Sequence, residues 1–150
     1  MTLFLILRHR ANICGIADFV VNSDEEVYED WMTKDQARAA LDRLIENRSI
    51  IYDPERGAAF IRSFLKWDRM VYRTSNNFKA FAKNARVIGS KPIRRALALS
   101  LAREEQTIRQ PDGVQLLAKE LIHELLGKEA EDILRRSTVA TSAEWASAGA

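Results

Sequence analysis

The stretch TKDQARAALDRLIENRSIIYDPERGAAFIRSFL, residues 33–65, decides the fold. Thr33 and Gln36 have capping-box spacing, in which the hydroxyl accepts from the third helical amide while the longer side chain reaches back to the cap. Ala37, Ala40, Leu41, Leu44 and Ile45 then recur at i, i+3, i+4, i+7 and i+8, the apolar stripe of one helix face. This predicts a helix from Lys34 to about Asn47. Ser49-Ile50-Ile51-Tyr52 is a β-type run. Asp53-Pro54-Glu55-Arg56-Gly57 is turn chemistry, with proline setting φ and glycine free to take positive φ. Ala58 to Leu65 is the expected return strand.

Upstream, Ser23 and Glu26 repeat the capping-box spacing. A helix is expected from Asp24 to Met32, with Val27, Tyr28 and Trp31 on one face. Two capped helices separated by a residue or so form the helix-turn-helix signature. Thr2 to Leu7, followed by Arg8-His9-Arg10, fits a strand or a buried helix by periodicity and is read as a short helix. Asn12 to Ile16 reads as a turn entering a short strand that ends near Phe19. Helix, helix and hairpin in this order are those of a winged helix, with residues 53–57 as the wing tip.

Downstream, Thr74 or Ser75 is placed to cap a helix running to about Val87. Gly89-Ser90 breaks it, and Pro92 suits the first turn of a helix reaching about Arg103. Asp112 and Gln115 open a last helix to about Arg136. Its wide apolar face of Val114, Leu117, Leu121, Leu125 and Leu126 suits either a homodimer through residues 114–134 or the chain's own core. From Ser137 the chain is rich in Ser, Ala and Thr, and disorder is expected. The expected fold is mainly α with a small β-hairpin. It comprises a winged helix-turn-helix (1–67), a basic helical extension (68–106), a carboxyl-terminal helix (107–136) and a tail (137–150).

Apolar residues make up 47% and charged residues 29% of the chain, an ordinary globular balance. Leu3 to Leu7 is too short to span a bilayer, so no membrane partner and a cytoplasmic location are expected. Cys14 is the only cysteine, and His9 and His123 lie far apart. Neither a disulfide nor a paired metal-ligand motif follows, and no phosphate loop or nucleophile elbow is present. No catalysis, metal or cofactor is expected.

The net charge of +2 hides a segregation. Residues 1–60 carry 7 basic and 11 acidic side chains, and residues 104–150 carry 5 and 9. Residues 61–103 carry 11 basic side chains against the single acid Asp68. Such a stretch attracts polyanions through long-range electrostatics and counterion release. Arg62, Lys66, Arg69 and Arg73 follow the return strand. Lys79, Lys83 and Arg86 recur at i, i+4 and i+7, and Lys91, Arg94 and Arg95 open the next helix. Phe78 and Phe81 are expected in the core, and Trp67 and Tyr72 in an exposed loop. A second possibility is that the acidic flanks fold against the basic stretch. On the helix 34–47, Lys34, Gln36 and Arg38 are candidates to reach bases or phosphates, and Lys34, Asp35, Arg38, Asp42 and Arg43 are expected to be exposed.

Residues 12 to about 103 resemble the winged-helix proteins of actinobacterial phages and prophages, which are similar to the amino-terminal domain of phage replisome organisers. The matching stretches are NICGIADF (12–19), Trp31, DQARAALDRLIENRSIIYD (35–53), FIRSFLKWDRMVYRTSNNFKAF (60–81) and SKPIRRALALSLARE (90–104). They span about two thirds of the chain. The resemblance implies binding of double-stranded DNA in phage replication initiation or gene regulation. In replisome organisers the winged helix binds origin DNA and a carboxyl-terminal region engages the host helicase machinery. It also implies DNA-contacting roles for Lys34, Gln36 and Arg38, and for Arg56 in the wing. No large carboxyl-terminal domain follows in this chain, so a complete helicase-recruiting organiser is not expected. The rival reading is a module that binds a host replication or transcription protein, burying Trp67 and Tyr72. A nuclease would require carboxylates beside the basic surface, where Asp68 stands alone.

Overall fold

The hairpin expected from residues 49–65 forms, and the helices gather on its two faces. A computed structural model describes residues 2–21, 32–107, 112–133 and 135–136. The expected helix from Asp24 to Met32, apart from its last residue, and the tail from Ser137 lie outside the described residues.

Strands β2 (Ile50–Asp53) and β3 (Ala58–Ile61) pair antiparallel, with Ile50 opposite Ile61 and Asp53 opposite Ala58. Strand β1 (Ile16–Asp18) takes the other edge of β3, setting Ile16 opposite Phe60, so the order is β1-β3-β2. Side chains alternate across a strand, yet all four residues of β3 are buried. Both faces of the sheet are therefore covered. Ala59 and Ile61 pack with Leu3 and Leu7 of α1 (Thr2–Arg10) and with Ala37 and Leu41 of α2 (Lys34–Glu46). Ala58 and Phe60 pack with Phe78 and Phe81 of α4 (Ser75–Arg86), Ile93 and Leu97 of α5 (Lys91–Thr107), and Leu121 of α6 (Asp112–Leu126). Burying a side chain of this size contributes about 1.5–3 kcal/mol. The chain is thus mainly helical around a small three-stranded antiparallel sheet, compatible with a winged helix followed by carboxyl-terminal helices.

The caps form as their spacing predicts. The Thr33 hydroxyl accepts from the Gln36 amide at 3.2 Å, and the Gln36 carboxamide oxygen accepts from the Thr33 amide at 2.9 Å. Thr74 caps α4 by accepting from the Asn77 amide at 3.1 Å. Pro92 falls in the first turn of α5, where its missing amide is no loss.

Three sequence expectations are corrected. The return strand stops at Ile61 rather than Leu65, because the chain turns at Arg62-Ser63 into the short helix α3 (Phe64–Trp67). Gly15 makes room for that turn. It adopts φ +78, and a Cβ there would stand 2.5 Å from Cγ of Phe64. Tyr72 is buried rather than exposed, because a 3₁₀ turn (Met70–Tyr72) directs its ring toward Phe78, with centroids 6.3 Å apart. The last helix does not run unbroken to Arg136. Gly127 takes φ 58, opening a 3₁₀ turn (Gly127–Glu129) before helical residues resume at 130. The apolar stripe of α6, offered by the sequence to a second copy or to the chain itself, is used within the chain. Val114, Ala118, Leu121 and Ile122 are fully buried in the core shared with α4 and α5, and Leu116 alone of its large apolar residues is exposed.

Candidate nucleic-acid interface

Helix α2 buries Ala37 and Leu41, which leaves Lys34, Asp35, Arg38, Asp42 and Arg43 exposed on the opposite side, as its period requires. Lys34 and Arg38 stand one turn apart. Gln36 is exposed beside them, but its carboxamide oxygen is committed to the cap.

The basic stretch divides among several elements. On α4 the core takes Phe78, Phe81, Ala82 and Ala85, so Lys79, Lys83 and Arg86 stand exposed. Arg86 differs from its two lysine neighbours. Its Nε meets Oε2 of Glu124 on α6 at 2.6 Å and its Nη2 meets Oε1 at 3.1 Å, a bidentate pair with both side chains about half exposed. The hydrogen bond, with the attached charge, holds Glu124 below its ordinary pKa and Arg86 above its own. Arg95 on α5 pairs with Glu129 at 3.4 Å. Two cations of the basic stretch thus face the acidic carboxyl-terminal segment, the internal neutralisation considered from the sequence. Lys66, Arg69, Arg73 and Lys91 are exposed. Lys66 Nζ lies 5.8 Å from the Trp67 ring, which is itself 69% exposed, and Arg69 donates to the Lys66 carbonyl at 3.4 Å. Arg94 is half-buried and donates to the Ile88 carbonyl at 3.4 Å, bracing the start of α5.

The hairpin tip is docked against the chain. Asp53 is buried, and its Oδ1 accepts from the amides of Glu55 at 3.0 Å and Arg56 at 3.3 Å. Its carboxyl also bonds the side chain of Ser90, at the α4–α5 junction. Those hydrogen bonds, led by that of Ser90, hold Asp53 below its ordinary pKa against the opposing effect of burial. Arg56 is exposed, and its guanidinium lies over Gly89, where any Cβ would collide with it. The wing arginine therefore sits by the α4–α5 junction.

Arg62 and Arg95 line one groove, together with Arg48, Arg103, Ile51, Pro92, Ala96, Leu99 and Ser100. The sequence reading passed over Arg48 and Arg103. The spacing of Arg95, Leu99 and Arg103 at i, i+4 and i+8 was the available signal for the second. Nothing local marks Arg48, which follows the helix at a position that ordinarily takes glycine.

Among the described residues, no group of three or more His, Cys, Asp or Glu side chains is placed to hold a metal ion. His9 and His123 are exposed, and Cys14 is buried with its Sγ donating to the Phe81 carbonyl at 3.6 Å. No described helix is long and apolar enough to cross a membrane. No family model, no curated protein and no solved structure matches the chain.

Proposed function

We propose that the chain binds double-stranded DNA as a winged-helix protein of phage origin, acting in replication initiation or gene regulation in the bacterial cytoplasm and doing no chemistry on the DNA. The observation that carries this reading is the disposition of the basic stretch. Of its eleven cationic side chains nine are exposed and two half-buried, and Arg86 and Arg95 each meet a carboxylate. Exposed lysines on one helix face are suited to phosphate oxygens, which position a duplex without reading its sequence. Lys34 and Arg38 on the outer face of α2 are suited to the groove-facing part of a recognition helix. Lys79 and Lys83 hold the backbone, with Lys66, Arg69, Arg73 and Lys91 adding to the field.

The test is binding of the full chain to a labelled random-sequence duplex between about 50 and 200 mM salt. Binding is expected to weaken steeply with salt and to be lost when Lys79 and Lys83 are both replaced by Glu. Glu124→Gln releases Arg86 and is expected to steepen the log–log salt slope by about 0.9. No binding at the lowest salt, or binding indifferent to the lysine pair, overturns the reading.

A further inference from the structure

The arginine-lined groove between β2 and α5 has a volume of about 440 Å³ and two kinds of wall. Arg48, Arg95 and Arg103 are exposed along it, and Arg62 is half-buried. Ile51, Ala96 and Leu99 are half-buried, and with Pro92 they supply an apolar lining. Neither an acidic nor an aromatic residue lines it.

Two further observations concern its cations. Arg95 already holds a carboxylate, that of Glu129 at 3.4 Å. Arg48 stands at φ +56, a left-handed conformation unusual for a residue with a side chain. Its carbonyl accepts from Nη1 of Arg62 at 3.2 Å, which fixes one groove arginine by means of the other's backbone. A strained residue that glycine would fill more comfortably points to a use for its side chain.

We propose that this groove docks an acidic amphipathic segment of a partner protein. Apolar side chains of that segment cover Ile51, Ala96 and Leu99, and its carboxylates meet Arg48, Arg62 and Arg103. Apolar lining contributes to binding only when apolar groups displace its water. A phosphodiester backbone offers none, and single-stranded bases need the aromatic platforms this groove lacks. A ring of guanidiniums around aliphatic carbon is complementary to alternating carboxylate and apolar side chains. The inference is independent of DNA binding, which was placed on α2 and α4 with Lys66, Arg69, Arg73 and Lys91, none of which lines the groove.

The experiment is selection of a displayed random peptide library on the full chain, counter-selected on a variant carrying Arg48→Gln and Arg103→Gln. Enriched peptides are expected to combine Asp or Glu with at least two large apolar residues. Labelled copies are expected to lose about tenfold in affinity for the double variant, and likewise for Ala96→Glu, which fills the apolar lining. Thermal melts of each variant report whether it is folded, and the glutamine pair keeps the test alive if Ala96→Glu is not. Failure to enrich any peptide overturns the proposal, as does enrichment of peptides without acids. If the glutamine pair instead abolishes duplex binding and spares the peptides, the groove holds nucleic acid. If it abolishes a concentration-dependent self-association, the occupant is a second copy, and the proposal falls equally.

Discussion

Replacing Arg48 with glycine separates two roles carried by one residue. Arg48 closes α2 in a Schellman arrangement: its amide donates to the Ile45 carbonyl at 3.0 Å, and the Ser49 amide donates to the Leu44 carbonyl at 3.0 Å. That arrangement requires a left-handed residue, and Arg48 supplies it at φ +56. The conformation costs a residue with a Cβ about 1–2 kcal/mol. Glycine avoids that cost but loses roughly 0.5–1 kcal/mol more backbone entropy on folding. The difference leaves Arg48→Gly more stable by about 0.5–1 kcal/mol. For a chain of this length each kcal/mol moves Tm by roughly 2–4 °C, so a rise of about 1–4 °C is expected. The hydrogen bond from Arg62 goes to the backbone carbonyl of residue 48 and survives the change. Arg48→Ala is the control, since it removes the guanidinium and keeps the strained backbone; it is expected within a few tenths of a kcal/mol of the parent. Urea unfolding measures both, with the midpoint shifting at unchanged slope. The groove's acidic peptide weakens equally for both variants. A loss of stability for Arg48→Gly, or an equal gain for Arg48→Ala, refutes the argument from left-handed strain.

Phe60 lies fully buried in the central strand, on the face toward α4, α5 and α6. Phe60→Ala is expected to cost about 3–5 kcal/mol in one transition seen alike by tryptophan fluorescence and far-ultraviolet circular dichroism. Two separated transitions refute a core shared between sheet and helices. Asp53 is held below its ordinary pKa of 3.8, chiefly by the Ser90 hydrogen bond. A depressed carboxyl contributes stability that is present above its unfolded pKa and lost as pH falls through the folded one. Asp53→Asn is therefore expected to flatten the fall in stability below about pH 4, and an unchanged acid limb counts against the Ser90 contact. Burial pushes the Cys14 thiol up to about 12, so a disulfide reagent is expected to modify it only as fast as the chain opens. Rapid modification of the native chain shows instead that Cys14 is accessible.

What was legible in the sequence is what local chemistry specifies. The spacing of Thr33 and Gln36, the run of alanines and leucines after them, and Asp53-Pro54 with Gly57 each determine their own turn or helix without help from distant residues. The misread end of β3 depends on a partner far away in the chain. Nothing near Leu65 ends β3; the strand stops because Phe64 must lie over Gly15, some fifty residues earlier. Tyr72 reads as a loop aromatic until Phe78 and the 3₁₀ turn draw it inward. The site was legible as a list of cations but not as a surface. Helical spacing set Lys79, Lys83 and Arg86 on one face. It said nothing of Glu124, which approaches from another helix, or of Arg48, which meets Arg62 across the hairpin, where Ile50 pairs with Ile61.

Two carboxyl-terminal acids treat the arginines and lysines around α4 differently. Glu124 and Glu129 meet arginines, Arg86 and Arg95, while Lys79 and Lys83 on the same face as Arg86 are exposed. The planar fork of arginine is matched to a carboxylate, whereas lysine is a compact, mobile charge. Both pairs are about half exposed or more, and pairs of that kind contribute only about 0–1 kcal/mol to stability. Their greater effect is on the field outside the molecule. Each cancels one positive charge at a definite place, and the Glu124 pair leaves Lys79 and Lys83 as the part of α4 best able to hold an anion. Charge reversal at Glu124 therefore carries a distinct signature. Glu124→Lys is expected to change thermal stability little and to tighten duplex binding at low salt, with a steeper salt dependence. A large loss of stability with unchanged duplex affinity assigns the pair to the fold, and the selective neutralisation of α4 is then wrong.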